Sequence, residues 1–228
     1  MTKFIVDPGS THMNKREWVL EHVQRASDAG AWAVKFQLFN GVPLEQRSSD
    51  NVILSLDNFD AALNEGSKRG IHVTASVFTE EDFNALDSRN VPFVKFAHSK
   101  ANLALSLGYR LRQYTDRNPN NFVLCSAGIL NRRKLNNVPF TLKTLFCIPE
   151  YPVIYDINWV EISKLFDSGK FNGFSDHTLG IEDTICAANY GAEYIEKHLT
   201  LQHFGVDCGD NQFAISYNEL SEAIHRAT

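Results

Sequence analysis

GFSDHTLGIEDTICAANYGAEYIEKHLTL, residues 173–201, holds one complete structural repeat. It runs from a short strand, Gly173-Phe174-Ser175, through a helical stretch over 181–190 that stops at Gly191, into a second strand, Tyr194–Lys197. A strand, a covering helix and another strand in this order read as parallel neighbours joined by a crossover. The same unit recurs upstream. Strands are expected over Phe4–Val6, Ala33–Phe39, His72–Val77, Phe93–Ala97, Phe122–Ala127 and Leu142–Ile148, each rich in β-branched or aromatic residues. Helices are expected over 15–29, ending at Gly30, and over 56–69, ending near Gly70, where glycine supplies the left-handed cap. Further helices are expected after Thr79-Glu80-Glu81-Asp82, over 101–115 and 158–168, and over 216–227, where Ser216 and Glu219 form a capping pair.

Eight strands in βα order predict an α/β fold, a closed (β/α)8 TIM barrel with its site at the C-terminal ends of the strands. One unit is irregular. LNRRKLNNVPF, between the fifth and sixth strands, is too polar and short for a covering helix, so that helix is expected to be missing or reduced to a turn. No linker or low-complexity tract interrupts the chain, and residues 1–228 are assigned to one catalytic-type domain. The 228 residues, 43% of them hydrophobic and 21% charged, suffice for such a core.

A net charge of −5 excludes a global basic field for nucleic acid or an anionic membrane. No apolar run reaches membrane-spanning length, and MTKFIVDPGS has no signal-peptide core, so a cytoplasmic protein is expected. Cys125, Cys147, Cys186 and Cys208 form no CxxC pair and read as reduced thiols, the first two in the core. Trp18, Trp32 and Trp159 read as helix-packing residues, and His22, His72, His203 and His225 as structural or solvated.

Candidate chemistry lies at the strand ends. Lys35 in AVKFQ and Lys95 in FVKFA are flanked by Val and Phe inside strands. Each either points into the barrel and meets an anion, or points outward and snorkels between helices. His177 and His198 are 21 residues apart, one repeat, and so should stand side by side. Two adjacent imidazoles suit a divalent metal, or two structural histidines satisfied by hydrogen bonds. Asp207 is placed to join them from the following loop, and His12, at the end of the first strand, lies on the same arc.

The segments FSDHTLGIEDTICAANYGAEYIEKHLTL, IVDPGSTHMN and DAGAWAVKFQ are similar to signatures of the sialic acid synthase (N-acetylneuraminate synthase, NeuB-like) family. The resemblance covers the barrel alone, without the family's C-terminal antifreeze-like domain. It implies a cytoplasmic, metal-dependent transferase of carbohydrate biosynthesis. Such an enzyme condenses phosphoenolpyruvate with an open-chain N-acylated hexose or related aldose, giving a nonulosonic-type 2-keto acid and phosphate. It places a divalent ion, usually Mn²⁺ with Mg²⁺ or Co²⁺ as other choices, on His177 and His198. It sets phosphoenolpyruvate against Lys35, Ser76, Lys95, Ser126 and Ser175, and the sugar against Tyr151, Asp207 and Gln37. Asp7 takes the place of the catalytic glutamate and, with Lys35 and the two histidines, forms the expected catalytic set. Pro149 stands where the family has asparagine, and His98 where it has serine. The partners implied are small molecules, a homodimer through the barrel, and a separate lid-bearing chain. A non-catalytic phosphoenolpyruvate- or sugar-binding relative and a metal-dependent aldolase or lyase are the two other readings.

Overall fold

A computed structural model describes residues 1–38, 52–201 and 209–227. Eight parallel strands close on themselves in sequence order, each pairing with the next and the last with the first. They are β1 (Lys3–Asp7), β2 (Ala33–Gln37), β3 (His72–Ser76), β4 (Phe93–Phe96), β5 (Phe122–Ala127), β6 (Leu142–Cys147), β7 (Gly173–Asp176) and β8 (Tyr194–His198). This is the expected TIM barrel. Strand ends move by one or two residues from the sequence pattern, and the end of the expected second strand, Phe39, lies outside the described residues.

Helices cover the outside: α1 (Arg16–Asp28), α2 (Leu56–Arg69), α3 (Glu80–Ser88), α4 (Ala101–Ser106), α5 (Gly108–Arg117), α6 (Ile129–Lys134), α7 (Trp159–Asp167), α8 (Glu182–Asn189) and α9 (Tyr217–Arg226). Their limits follow the caps. Thr79 and Asp82 close a reciprocal box at the start of α3, as Ser216 and Glu219 do for α9. Gly70 ends α2 in the left-handed conformation at φ 70°. The single helix expected over 101–115 is broken at Leu107 into α4 and α5. The expected defect after β5 is present: α6 has six residues and buries none of them.

Side chains alternate along the strands. One set packs outward beneath the helices, around Val34, Phe36, Val94, Phe96, Phe174 and Ile195. The inward set begins at the N-terminal end with an aromatic plug, in which Trp32 stacks on Phe93 at 5.1 Å and Phe93 on Phe122 at 5.2 Å. Trp32 therefore seals the bottom of the barrel and is not the helix-packing residue expected, because it enters β2 on the inner face. Ile5, Leu124 and Leu145 form the apolar layer above it. Gly173 is required in β7: a Cβ there would stand 1.8 Å from the Tyr194 carbonyl oxygen. Among the described residues no helix is long and apolar enough to cross a membrane.

Candidate active site

The inward layer nearest the C-terminal ends is polar and buried. Lys35 and Lys95 both point into the barrel and are buried, which settles the choice left open by their strand context. Each meets a carboxylate. Lys35 donates to Asp7 Oδ2 and lies 3.6 Å from Glu196 Oε2; Lys95 Nζ is 3.1 Å from Glu196 Oε1. Ser175 donates to the same Glu196 oxygen at 2.9 Å. Burial opposes ionisation of Glu196, but Lys35 and Lys95 outweigh it and hold the carboxyl below its usual range. Burial likewise opposes ionisation of Asp7, and the adjacent His198 and Lys35 prevail. Two cations and two carboxylates thus balance in the barrel centre.

Asp7 ends β1 and pairs in register with His198 at the end of β8. Its Oδ2 is 3.3 Å from His198 Nε2, while Oδ1 accepts the Gly9 N–H at 3.0 Å. His177 follows β7, and its ring centroid is 5.9 Å from that of His198. Its Nδ1 donates to the Ile148 carbonyl at 3.0 Å, so Nε2 keeps its lone pair. Burial, with His198 nearby, lowers the His177 pKa to about 4, which leaves a neutral imidazole of the kind a metal takes as ligand.

Outside the barrel wall, Lys197 and Asp176 form a second buried pair at 3.1 Å, immediately adjacent in sequence to His198 and His177. Asp176 accepts from Thr178 and Thr184, and Lys197 donates to the Thr178 carbonyl. This pair locks β7 to β8 where both histidines emerge.

Other expected residues are placed less closely. Ser76 and Ser126 are buried near the C-terminal ends of β3 and β5, and Ser126 Oγ has no hydrogen-bond partner among the described residues. Gln37 ends β2 in register with Ser76. Tyr151 is 57% exposed yet packs on His177, which is 4% exposed, at a centroid distance of 4.0 Å. Asp207 lies outside the described residues. His12 does not end β1, which stops at Asp7; it sits in the following turn, edge-on to Phe36. The Asn14 N–H donates to its Nδ1, so its proton is on Nε2, a buried atom without a partner among the described residues. Cys147 is buried as expected, but it borders the site rather than the outer core, 3.9 Å from His177 Nδ1, and burial pushes its thiol up to about 12.

Two residues were not singled out in the sequence. Glu196 was signalled by the alternation of IEKH, which puts it on the inner face with His198. Phe213, against His198 at 4.9 Å, carried no sequence signal.

The NeuB family model matches residues 46–228. The chain is 26% identical over 242 residues to an uncharacterised protein of Methanocaldococcus jannaschii, covering 98% of this chain and 69% of that one. It is 26% identical over 234 residues to the N,N'-diacetyllegionaminic acid synthase of Legionella pneumophila, covering 88% and 65%. It thus spans about two thirds of the length of these curated relatives. The solved N-acetylneuraminic acid synthetase of Leptospira borgpetersenii, a citrate complex, superposes with a TM-score of 0.79 at 25% identity, covering 99% of this chain and 82% of that one.

Proposed function

The chain belongs to the NeuB family, and from that premise we propose that it condenses phosphoenolpyruvate with the open-chain aldehyde of an N-acylated hexose or related aldose, releasing phosphate. The observation that carries this reading is the buried Lys35–Asp7 and Lys95–Glu196 cluster beside His177 and His198. Buried lysines at a barrel mouth suit an anionic substrate held at a fixed position. Because their charges are already matched by carboxylates, a trianion entering this layer needs further positive charge. A divalent ion on His177 and His198 would supply it and polarise the aldehyde oxygen. Among the described residues no group of three or more His, Cys, Asp or Glu is placed to hold a metal ion, and the proposed site has two imidazoles, His177 and His198.

In this reading Lys35, Lys95, Ser126 and Ser175 orient phosphoenolpyruvate so that its C3 faces the aldehyde carbon. A bond forms between those two carbons, and water adds to the cation left at C2. Asp7, ionised at neutral pH, accepts the proton of that water. The proton taken by Asp7 passes to the former aldehyde oxygen, which becomes a hydroxyl. The C2 hydroxyl of the adduct then becomes the keto group as the C2–O bond to phosphate breaks. Phosphate leaves with the electron pair and that hydroxyl's proton. Tyr151 and Gln37 stand at the rim for the sugar. Catalysis in a cytoplasmic setting, with subunits paired through the barrel, is part of the same proposal.

Thermal denaturation with phosphoenolpyruvate, with and without Mn²⁺, tests it without a choice of sugar. Ligand at about a hundred times its dissociation constant adds roughly 2.7 kcal/mol, a rise on the order of 5–10 °C for a chain of this size. The expected result is stabilisation of wild type by both, with the Mn²⁺ effect lost in the His177→Ala/His198→Ala variant. Absence of any shift would sink the proposal. Binding without phosphate release in an aldose screen would make the chain a ligand-binding relative instead.

A further inference from the structure

Phe213 lies beyond β8, in the segment that leads to α9, and is buried at 6% exposure. Its ring meets both histidines. The centroid is 4.9 Å from that of His198, at an interplanar angle of 78°, and 6.2 Å from that of His177 at 70°. Tyr151 closes the group, 5.3 Å from Phe213 and 4.0 Å from His177. Both imidazoles thus turn their rings towards the edge or face of one phenyl group, an arrangement that the ring quadrupole favours.

The backbone holds Phe213 there. Two residues on, the Ile215 N–H donates to the carbonyl of His198 itself at 3.0 Å, and the Thr200 N–H donates to the Ile215 carbonyl at 3.0 Å. Leu199 and Ile215 form a parallel bridge that extends β8 by one rung. The capped start of α9 follows at once, and α9 is anchored in turn. The Tyr217 hydroxyl is 2.6 Å from His22 Nδ1 on α1. His22 Nε2 is 3.1 Å from Thr11 Oγ1, which donates to the Pro8 carbonyl next to Asp7. Thr11 spends its proton on Pro8, so it accepts from His22 Nε2–H, and Tyr217 donates to Nδ1. A continuous chain of contacts therefore runs from the Asp7 turn through α1 and α9 back to Phe213.

We propose that Phe213 is a positioning residue for the metal-binding pair, fixing the ring planes of His177 and His198 and keeping water from their outer faces. Through it the C-terminal helix, which contributes neither histidine, completes the site. The inference rests on the metal reading proposed above and adds a residue to it. Hydrogen-bonded outer partners of metal-bound histidines change metal affinity by about 10–100-fold when removed, and a ring contact that fixes the same imidazole planes is placed at the low end of that range.

The test is Mn²⁺ affinity of the whole chain, read from the loss of the free-ion electron paramagnetic resonance signal, with no substrate present. Phe213→Ala should bind at least about ten-fold more weakly than wild type while keeping its circular dichroism spectrum, and Phe213→Leu should fall between the two. Phe83→Leu, which trims a fully buried ring carried by α3, serves as the control and should leave the affinity within about two-fold. Equal affinity in wild type and both Phe213 variants overturns the inference and leaves the metal reading standing. An equal loss in Phe83→Leu also overturns it, since general softening would then explain the effect. If Phe213→Ala does not fold, the Phe213→Leu affinity decides alone. A wild type that binds no Mn²⁺ overturns the metal reading, and this inference falls with it.

Discussion

Lys95 and Glu196 face each other at 3.1 Å in the centre of the barrel, both almost wholly shielded from water. A second lysine, Lys35, lies on the other oxygen of the same carboxylate, so Glu196 is shared by two cations. Replacing it with glutamine keeps the shape and removes the charge that both lysines use. Breaking a buried pair in this way costs about 3–5 kcal/mol, on the order of 10 °C in Tm for this size. Phosphoenolpyruvate should restore more of the Tm in Glu196→Gln than it adds to wild type, because it then meets an unmatched positive charge. An equal ligand shift in the two proteins would argue against a charge-balanced site.

Acid should weaken the fold before its carboxylates titrate. His12 and His177 are held near pKa 4 by burial, against about 6.5 in an unfolded chain, so the unfolded state takes up their protons first. Their contribution is complete above pH 6.5 and is lost as the pH falls towards 4. Between pH 7 and 5 each imidazole should cost about 2 kcal/mol. Asp7 and Glu196, both lowered, lose their contribution only further down. Urea midpoints at the two pH values measure this. His12→Gln should lose its own share of the acid sensitivity, about 2 kcal/mol, beside the smaller contributions of His72 and His98, and an undiminished loss would contradict the assignment.

The Lys197–Asp176 pair gives a cleaner stability measurement, because it lies outside the barrel interior. Asp176→Ala should lower stability by about 3–5 kcal/mol, leaving Lys197 buried without its countercharge. Replacing both residues with apolar ones of similar volume should recover a large part of that. A double-mutant cycle by chemical denaturation reads the coupling directly. A coupling energy near zero would show that the two side chains act independently.

The legible part of this chain is set by repetition. Short runs rich in β-branched and aromatic residues, such as FVLCSA and YIEK, with glycine or capped helix ends between them, mark all eight strands. The one-repeat spacing of His177 and His198 sets both at the ends of neighbouring strands, whereas Asp7 is singled out by the family resemblance alone. What stayed hidden depends on inter-element distances that no local pattern encodes. Lys35 and Lys95 were ambiguous because an inward lysine needs an acid, and Glu196, which supplies it, lies across the barrel. Phe213 sits in a short irregular segment, and only the bridge to the residue after His198 sets its place. Trp32 plugs the barrel where helix packing is expected, because an aromatic at a strand entrance has the same local pattern in either role.

Asp7→Asn addresses the chemistry. It retains the Gly9 turn contact but lacks the negative charge that Lys35 and His198 adjoin. Phosphate release from phosphoenolpyruvate and an accepted aldose should fall by about 10²–10⁴ with the fold intact. Turnover within about two-fold of wild type would remove Asp7 from the proposed mechanism.

The 3.3 Å approach of Asp7 to His198 spans the seam where the first strand meets the last. Ribosomal synthesis delivers His198 191 residues after Asp7 (198 − 7), so no nascent fragment short of β8 has both halves of this contact. Pairing over so long a sequence separation is slow compared with local helix formation. Substrate or metal held across the seam would then act on the finished ring alone, as a latch. It would slow the reopening of the closure while leaving earlier stages of assembly untouched.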